Sequence, residues 1–222
     1  MIKAVIFDMD GVLIDTEKHY NAAWCEAAHR AGFENFAREH ALMLRSCDPT
    51  LASEMMKDIF GAGFDYYAIR EVRRGLVAER LEKYGLEKKP GIDEILAFLH
   101  ERKIKAAVAT ATPIELTLQH LEQIGVKDQF DRIVSAKQVA HGKPAPDVYL
   151  YACGQIGEDP ADCIAVEDSP NGIRSAYAAG CRPVMVPDLT QPDEEIRPLL
   201  YAVADTLADI KELLISKSDI EH

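Results

Sequence analysis

Two acidic residues directly follow a short apolar run near the start of the chain. Residues 4–7, Ala-Val-Ile-Phe, are typical of a strand covered on both faces, and Asp8, Asp10 and Gly11 come after it. Alternate side chains of an extended backbone lie on one face, so the two carboxylates can enter one pocket from positions about 7 Å apart. Buried carboxylates need a cation beside them. The pattern indicates a catalytic or metal-binding pair, although an ordinary acidic turn has the same sequence.

Further polar residues lie at the ends of other strand-like runs. Thr110 ends one such run, Glu167 and Asp168 end another, and Lys143 lies in a Gly-Lys-Pro loop. Each has a simple explanation on its own. Lys143 could be a solvated loop lysine and Thr110 a strand-end residue, and acids are favourable at the start of the helix predicted after Asp168. Only their joint occurrence favours a functional site.

The apolar periodicity predicts strands that alternate with helices. Short apolar runs predict strands at 4–7, 105–109, 132–134, 163–166 and 183–186. Helical spacing predicts helices at 92–99, 113–124, 148–156, 170–179 and 204–214. This alternation predicts an α/β fold with a doubly wound parallel sheet, whose binding crevice lies at the carboxyl ends of the strands. Asp8, Thr110 and Asp168 all fall at those ends, which predicts one shared site.

Residues 16–86 contain no convincing strand. Helical patterns occur at 16–32, 40–44, 50–60 and 66–84. Asp15 or Thr16 is available to cap the first of these helices. We therefore expect an inserted helical cap domain over 16–86 and a core domain formed by 1–15 and 87–222.

Composition narrows the classes of function. The chain has 222 residues and a formal net charge of −12, which works against binding to nucleic acid or to an anionic membrane. It has no apolar run of about 18 residues and no signal peptide pattern, so we expect no membrane span. Its five cysteines are scattered without a C-x-x-C spacing, which favours reduced thiols and a cytoplasmic location. We expect a monomer because no helix shows sustained heptads.

Four motifs, taken in order, resemble those of the haloacid dehalogenase superfamily. They are Asp8-Met9-Asp10-Gly11-Val12, Thr110, Gly142-Lys143-Pro144-Ala145-Pro146-Asp147 and Val166-Glu167-Asp168-Ser169. The resemblance spans nearly the whole chain and is to the branch that contains β-phosphoglucomutase and the small sugar-phosphate phosphatases. It implies a Rossmann-like core with a helical cap inserted after the first strand.

The resemblance also implies a role for each residue of the motifs. Asp8 would attack phosphorus and form an aspartyl phosphate, a known form of covalent carboxylate catalysis. Asp10 would protonate the leaving alcohol and later take a proton from the attacking water. Lys143 would neutralise the phosphoryl group and hold Asp8 anionic, while the Thr110 hydroxyl and the backbone at Ala111 would bind phosphoryl oxygens.

A magnesium ion is implied in the same way. Its ligands would be Asp8, the backbone carbonyl of Asp10, Asp168 and, directly or through water, Glu167. An all-oxygen set of this kind suits Mg²⁺. Each carboxylate that faces a phosphate oxygen at about 4 Å costs about 4 kcal/mol at an effective dielectric near 20, so cations must be present.

The chain also departs from the mutases of this branch. Those mutases carry a basic residue where this chain has Pro113 and an arginine near the place of Pro49, and both hold the second phosphate of a bisphosphate. We expect Arg45 to reach the substrate instead. Losing two phosphate contacts favours hydrolysis, so we expect a Mg²⁺-dependent phosphomonoesterase acting on a small metabolite such as a sugar or polyol phosphate. Two alternatives stay open, a β-phosphoglucomutase-like mutase and a noncatalytic ligand-binding protein of the same fold.

Overall fold

A six-stranded parallel sheet organises the computed structural model, which describes residues 2–216. Within that range the strands are β1 (Ala4–Phe7), β2 (Lys105–Thr110), β3 (Arg132–Ser135), β4 (Cys163–Glu167), β5 (Arg182–Met185) and β6 (Ala202–Val203). Their order is β3-β2-β1-β4-β5-β6, and Ala4 of β1 pairs with Lys105 of β2 and with Cys163 of β4. The order reverses between β1 and β4, where ligands bind in doubly wound sheets.

Helices follow the predicted alternation. The helices of residues 2–216 are α1 (Glu17–Arg30), α2 (Arg38–Met43), α3 (Pro49–Phe60), α4 (Tyr66–Tyr84), α5 (Ile92–Glu101), α6 (Ile114–Gln123), α7 (Asp147–Ile156), α8 (Pro170–Ala178) and α9 (Asp209–Ser216). The first five lie between β1 and β2, and the other four connect or follow later strands. Of these five, α1 to α4 form the inserted helices, and α5 leads directly into β2. The predicted α/β fold with an inserted helical cap is therefore confirmed. Every helix of the described part is too short or too polar to cross a lipid bilayer.

The central strand explains why its sequence is continuously apolar. All four residues of β1 are fully buried. Val5 and Phe7 belong to an apolar cluster with residues of α5, α6 and α9, whereas Ala4 and Ile6 belong to a second cluster with residues of α7 and α8. Alternate side chains of a strand point to opposite faces, so both faces of this strand require apolar residues.

The four inserted helices have an apolar cluster of their own, to which all of them contribute. Stacked aromatic rings hold it together, with ring centroids 5.4 Å apart for Trp24 and Tyr66 and 6.0 Å apart for Phe36 and Phe64. The helices α1 and α4 pack along each other, and residues of both line the cavity that also contains the carboxyl ends of β1 and β2.

The end of the described chain differs from the prediction. The helix predicted over 204–214 begins only at Asp209, because residues 204–208 form bends and turns after β6, a strand that the pattern did not predict. The Asp209 carboxylate accepts hydrogen bonds from the backbone nitrogen and the hydroxyl of Thr206, both at 2.8 Å. Ala204 and Leu207 are buried in this turn, and their spacing of three residues is also typical of the apolar face of a helix, which explains the wrong prediction.

Candidate active site

A cavity of about 750 Å³ lies between the carboxyl edge of the sheet and the inserted helices. The predicted site residues that line it are Asp8, Asp10, Arg45, Thr110 and Ala111. Lys143 and Asp168 are buried behind this lining, where Lys143 contacts Asp8 and Asp168 contacts Arg45. The structure therefore brings the predicted residues of both the sheet and the cap turn to one crevice.

Lys143 is fully buried and has three acceptors. Its Nζ donates to Asp8 Oδ1 at 2.6 Å, to Glu167 Oε1 at 2.6 Å and to the Ala109 carbonyl at 3.0 Å. A buried ammonium is stable only when such partners replace its lost hydration. Burial alone would lower the pKa of Lys143, but the two carboxylates raise it above its ordinary value, so this lysine stays charged.

Asp8 is also buried, and burial disfavours the charged form of its carboxyl group. Burial raises the pKa of Asp8 to about 8; Lys143 opposes this rise, whereas Glu167 and Asp10 add to it. Lys143 is shared between Asp8 and Glu167, so its charge offsets the burial of Asp8 only in part. A further cation beside Asp8 would favour the carboxylate form that a nucleophile needs.

Tyr149 of α7 completes the surroundings of Lys143, and the sequence analysis missed it. Its hydroxyl donates to Glu167 Oε1 at 2.6 Å, and Lys143 Nζ lies 5.2 Å from its ring centroid. A fully buried tyrosine needs a partner for its hydroxyl, so a tyrosine on the apolar face of a helix six residues after Lys143 was the available signal.

Asp10 is held by two threonine hydroxyls. Thr16 Oγ1 donates to Asp10 Oδ1 and Thr112 Oγ1 donates to Asp10 Oδ2, both at 2.7 Å. Thr16 occupies the position before α1, but its side chain makes no capping bond, so the expected capping role is wrong for Thr16. These two bonds fix the orientation of the Asp10 side chain at the cavity.

The acids around Asp8 fit a divalent cation. Carboxylate oxygens of Asp8, Glu167 and Asp168 all lie within 4.8 Å of one another, whereas the Asp10 side chain lies outside this group. Asp168 Oδ1 is buried without a hydrogen-bond partner in the described structure. An all-oxygen donor set with one unsatisfied anionic oxygen suits Mg²⁺.

Gly11 makes room for this group. Its φ is +82°, a conformation that favours glycine, and a Cβ atom at this position would overlap the Asp168 carboxylate. The glycine after the acidic pair therefore allows the backbone to pass directly beside Asp168.

Arg45 enters the crevice from the turn between α2 and α3. Its guanidinium contacts the Asp168 carboxylate and donates to the Asp168 carbonyl at 3.1 Å and to Thr190 Oγ1 at 3.0 Å. Its Nε lies 3.2 Å from an oxygen of Glu17, a buried acid that the sequence analysis missed. Burial raises the pKa of Glu17 to about 7, although Arg45 lowers it. Arg45 thus lines the cavity while its positive charge is shared by two acids of the site.

The inserted helices also supply an aromatic wall. The Arg73 guanidinium lies over Tyr20 and Trp24, 4.8 Å and 5.1 Å from the ring centroids, and all three residues line the cavity. His19, the neighbour of Tyr20, stacks on Tyr84 instead. This wall lines the same cavity as Asp8 and Asp10.

Comparisons with known proteins agree with this geometry. The family described as haloacid dehalogenase-like hydrolase matches residues 2–180. The chain is similar to the phosphorylated carbohydrates phosphatase of Thermotoga maritima, with 31% identity over 186 residues that cover 81% of this chain and 82% of that protein. It is 29% identical to hexitol phosphatase B of Escherichia coli (strain K12) over 219 residues, covering 96% of this chain and 94% of that protein.

A solved structure extends the likeness to the fold. The β-phosphoglucomutase of Clostridium difficile superposes with a TM-score of 0.81 at 23% identity, covering 99% of this chain and 97% of that chain. At that identity the likeness shows the fold alone. By the matches in sequence, the chain belongs to the haloacid dehalogenase-like hydrolase family, and it is a phosphatase.

Proposed function

We propose that this phosphatase depends on Mg²⁺ and hydrolyses a small sugar or polyol phosphate through an aspartyl phosphate on Asp8. The observation that carries the proposal is the contact of 2.6 Å between Lys143 Nζ and Asp8 Oδ1, beside the oxygens of Glu167 and Asp168 and at the same cavity as Asp10. The names of the two phosphatase relatives, which refer to hexitol and to phosphorylated carbohydrates, support this substrate class.

In the first half of the reaction, a carboxylate oxygen of Asp8 attacks phosphorus. The bond between phosphorus and the ester oxygen breaks, and Asp10 gives its proton to the departing alcohol. The Thr110 hydroxyl and the backbone at Ala111 bind phosphoryl oxygens, and Lys143 offsets their charge. Because Lys143 is held by three acceptors, its charge needs no rearrangement when the substrate arrives.

In the second half, water attacks phosphorus and the bond to Asp8 breaks. Asp10 takes the proton of this water, which restores the acid for the next cycle. Its two threonine partners, Thr16 and Thr112, orient the Asp10 carboxylate for this step. Inorganic phosphate then leaves through the cavity.

The residues that would hold Mg²⁺ are Asp8, Asp10 through its backbone carbonyl, Asp168 and Glu167. When bound, the ion supplies positive charge that keeps Asp8 anionic and offsets charge on the phosphoryl oxygens. Glu167 Oε1 already accepts from Lys143 and Tyr149, so Glu167 would ligate through its other oxygen or through water.

The inserted helices would exclude water during these steps. We infer that residues 16–86 form the cap domain and that 1–15 and 87–222 form the core domain, of which residue 1 and residues 217–222 lie outside the described residues. Arg45 would bind the substrate only after its guanidinium leaves Asp168, since the two are in contact in this structure. Closure of such a cap removes bulk water that would weaken the electrostatic interactions at phosphorus.

Phosphate release from a panel of phosphate esters, including glucitol 6-phosphate and p-nitrophenyl phosphate, tests the proposal. We expect hydrolysis with Mg²⁺, loss of activity with EDTA, and no turnover by Asp8→Asn, whose circular dichroism should match that of the wild type. Activity in Asp8→Asn equal to that of the wild type would contradict the covalent route. Conversion of β-glucose 1-phosphate with turnover of glucose 1,6-bisphosphate would instead favour the mutase alternative.

A further inference from the structure

Two cations line the cavity from its two sides, the inserted helices and the sheet, and the proposed mechanism uses neither. Arg70 lies on α4, and Lys137 lies in the turn after β3. Both line the main cavity and a smaller adjoining pocket of about 50 Å³, which also reaches Ala111 and Lys143. Within residues 2–216, neither Arg70 nor Lys137 forms an ion pair with a carboxylate. In a chain with a net charge of −12, two cations without carboxylate partners at one pocket favour the binding of an anionic ligand there.

Hydrogen bonds hold the backbone of Lys137 against the loop after β2, which contains Ala111 and Thr112. The Ser135 hydroxyl donates to the Thr112 carbonyl at 2.6 Å and accepts from the Lys137 nitrogen at 3.2 Å. The Gln138 side chain accepts from the Ser135 nitrogen at 2.8 Å. The turn therefore presents Lys137 at a defined place beside Thr110 and the loop that follows it, although its side chain is exposed.

The acid of the smaller pocket is already engaged. The Asp48 carboxylate accepts from the Thr50 nitrogen at 2.8 Å and from the Gly142 nitrogen at 3.1 Å. Backbone amides at the start of α3 and in the loop that carries Lys143 therefore stabilise this carboxylate. Partial burial and the nearby Arg70 lower the pKa of Lys137, in spite of Asp48. An anion between Arg70 and Lys137 would relieve this repulsion and would join the inserted helices to the sheet.

We propose that Arg70 and Lys137 bind a second anionic group of the substrate, either a carboxylate or another phosphate. This inference rests on the proposed function and narrows its substrate class to phosphorylated sugar acids or bisphosphates. The pocket adjoins Lys143 and Ala111, so one small molecule can reach both the phosphoryl site and this pair. A neutral polyol phosphate leaves the pair without a ligand.

The test compares substrates that differ only at the end remote from the phosphate. Gluconate 6-phosphate carries a carboxylate, glucitol 1,6-bisphosphate a second phosphate and glucitol 6-phosphate a neutral hydroxymethyl group. We expect the wild type to have a kcat/KM at least about tenfold higher for one of the two anionic substrates than for glucitol 6-phosphate, mainly through KM. The better of the two identifies the anionic group.

Arg70→Gln and Lys137→Gln should each reduce this preference about tenfold. Two controls each remove one charge outside the cavity: Lys83→Gln on the same helix as Arg70, and Lys127→Gln at the surface before β3. Both variants should keep the wild-type preference. Equal kcat/KM for charged and neutral substrates, or the same loss in the controls, would overturn the proposed pair. If none of the substrates is hydrolysed with Mg²⁺, and p-nitrophenyl phosphate is not either, the proposed function itself fails.

Discussion

The two sides of the cavity differ in how their cations are held. On the sheet side, Lys143 is fully buried and donates to two carboxylates and a carbonyl. On the side of the inserted helices, the Arg73 guanidinium lies over two aromatic rings, and its buried Nε has no hydrogen-bond partner in the described structure. The sheet side is organised before any ligand arrives, as phosphoryl chemistry requires. The helical side keeps this donor available, which suits recognition of the variable part of a substrate.

The strongest test of this contrast is Lys143→Met. It should lower kcat about 100-fold to 1000-fold and destabilise the fold by about 3–5 kcal/mol, because Asp8 and Glu167 lose the cation they share in a buried site. Urea unfolding and phosphate release measure the two effects. Lys127→Met is the control, since Lys127 pairs with Glu122 at the surface and its loss should cost less than about 1 kcal/mol. Equal stability of the two variants would contradict the organised sheet side.

A smaller effect is expected from Gly11→Ala. The added methyl group would overlap the Asp168 carboxylate, so we expect Mg²⁺ to lose its stabilising effect on the melting temperature. Gly61→Ala is the matched control, because Gly61 has a similar φ of +90° but no atom within 4 Å of a Cβ atom. Both variants should lose about 1–2 kcal/mol through backbone strain. A rise in melting temperature with Mg²⁺ that is the same in Gly11→Ala as in the wild type would refute the crowding at Asp168.

The smallest effect belongs to the helical side. Arg73→Met removes a cation from two aromatic faces and should cost about 1 kcal/mol in the free energy of unfolding. We expect KM for sugar phosphates to change more than kcat, because Arg73 lines the cavity from α4, whereas the reacting carboxylates belong to the edge of the sheet. Steady-state kinetics separate the two constants. A fall in kcat as large as that of Lys143→Met would remove the distinction between the two sides.

Sequence reasoning located the residues at strand ends because one physical rule applies to all of them. The carboxyl ends of parallel strands meet at one edge of a sheet, so Asp8, Thr110 and Asp168 had to converge once the strands were identified. The helices were predicted for a similar reason, since their apolar faces repeat at a fixed period.

The missed residues depend on contacts that no local pattern encodes. Tyr149 contacts Glu167, and Thr112 contacts Asp10, only because separate elements pack together in the fold. The partners of Arg45 depend on how the inserted helices lie on the sheet, so spacing could not reveal its contact with Asp168. The two-residue strand β6 is too short to produce an alternating pattern.

Two hydrogen bonds of Asp48 link the two sides of the cavity mechanically. Besides the bond from Gly142 to its carboxylate, Asp48 donates its backbone nitrogen to the Lys143 carbonyl at 2.7 Å. The start of α3 is thus hinged on the loop that carries the central lysine. A movement that lifts the inserted helices from the sheet must release these two bonds. Opening for product exit would therefore disturb the backbone of the loop that carries Lys143.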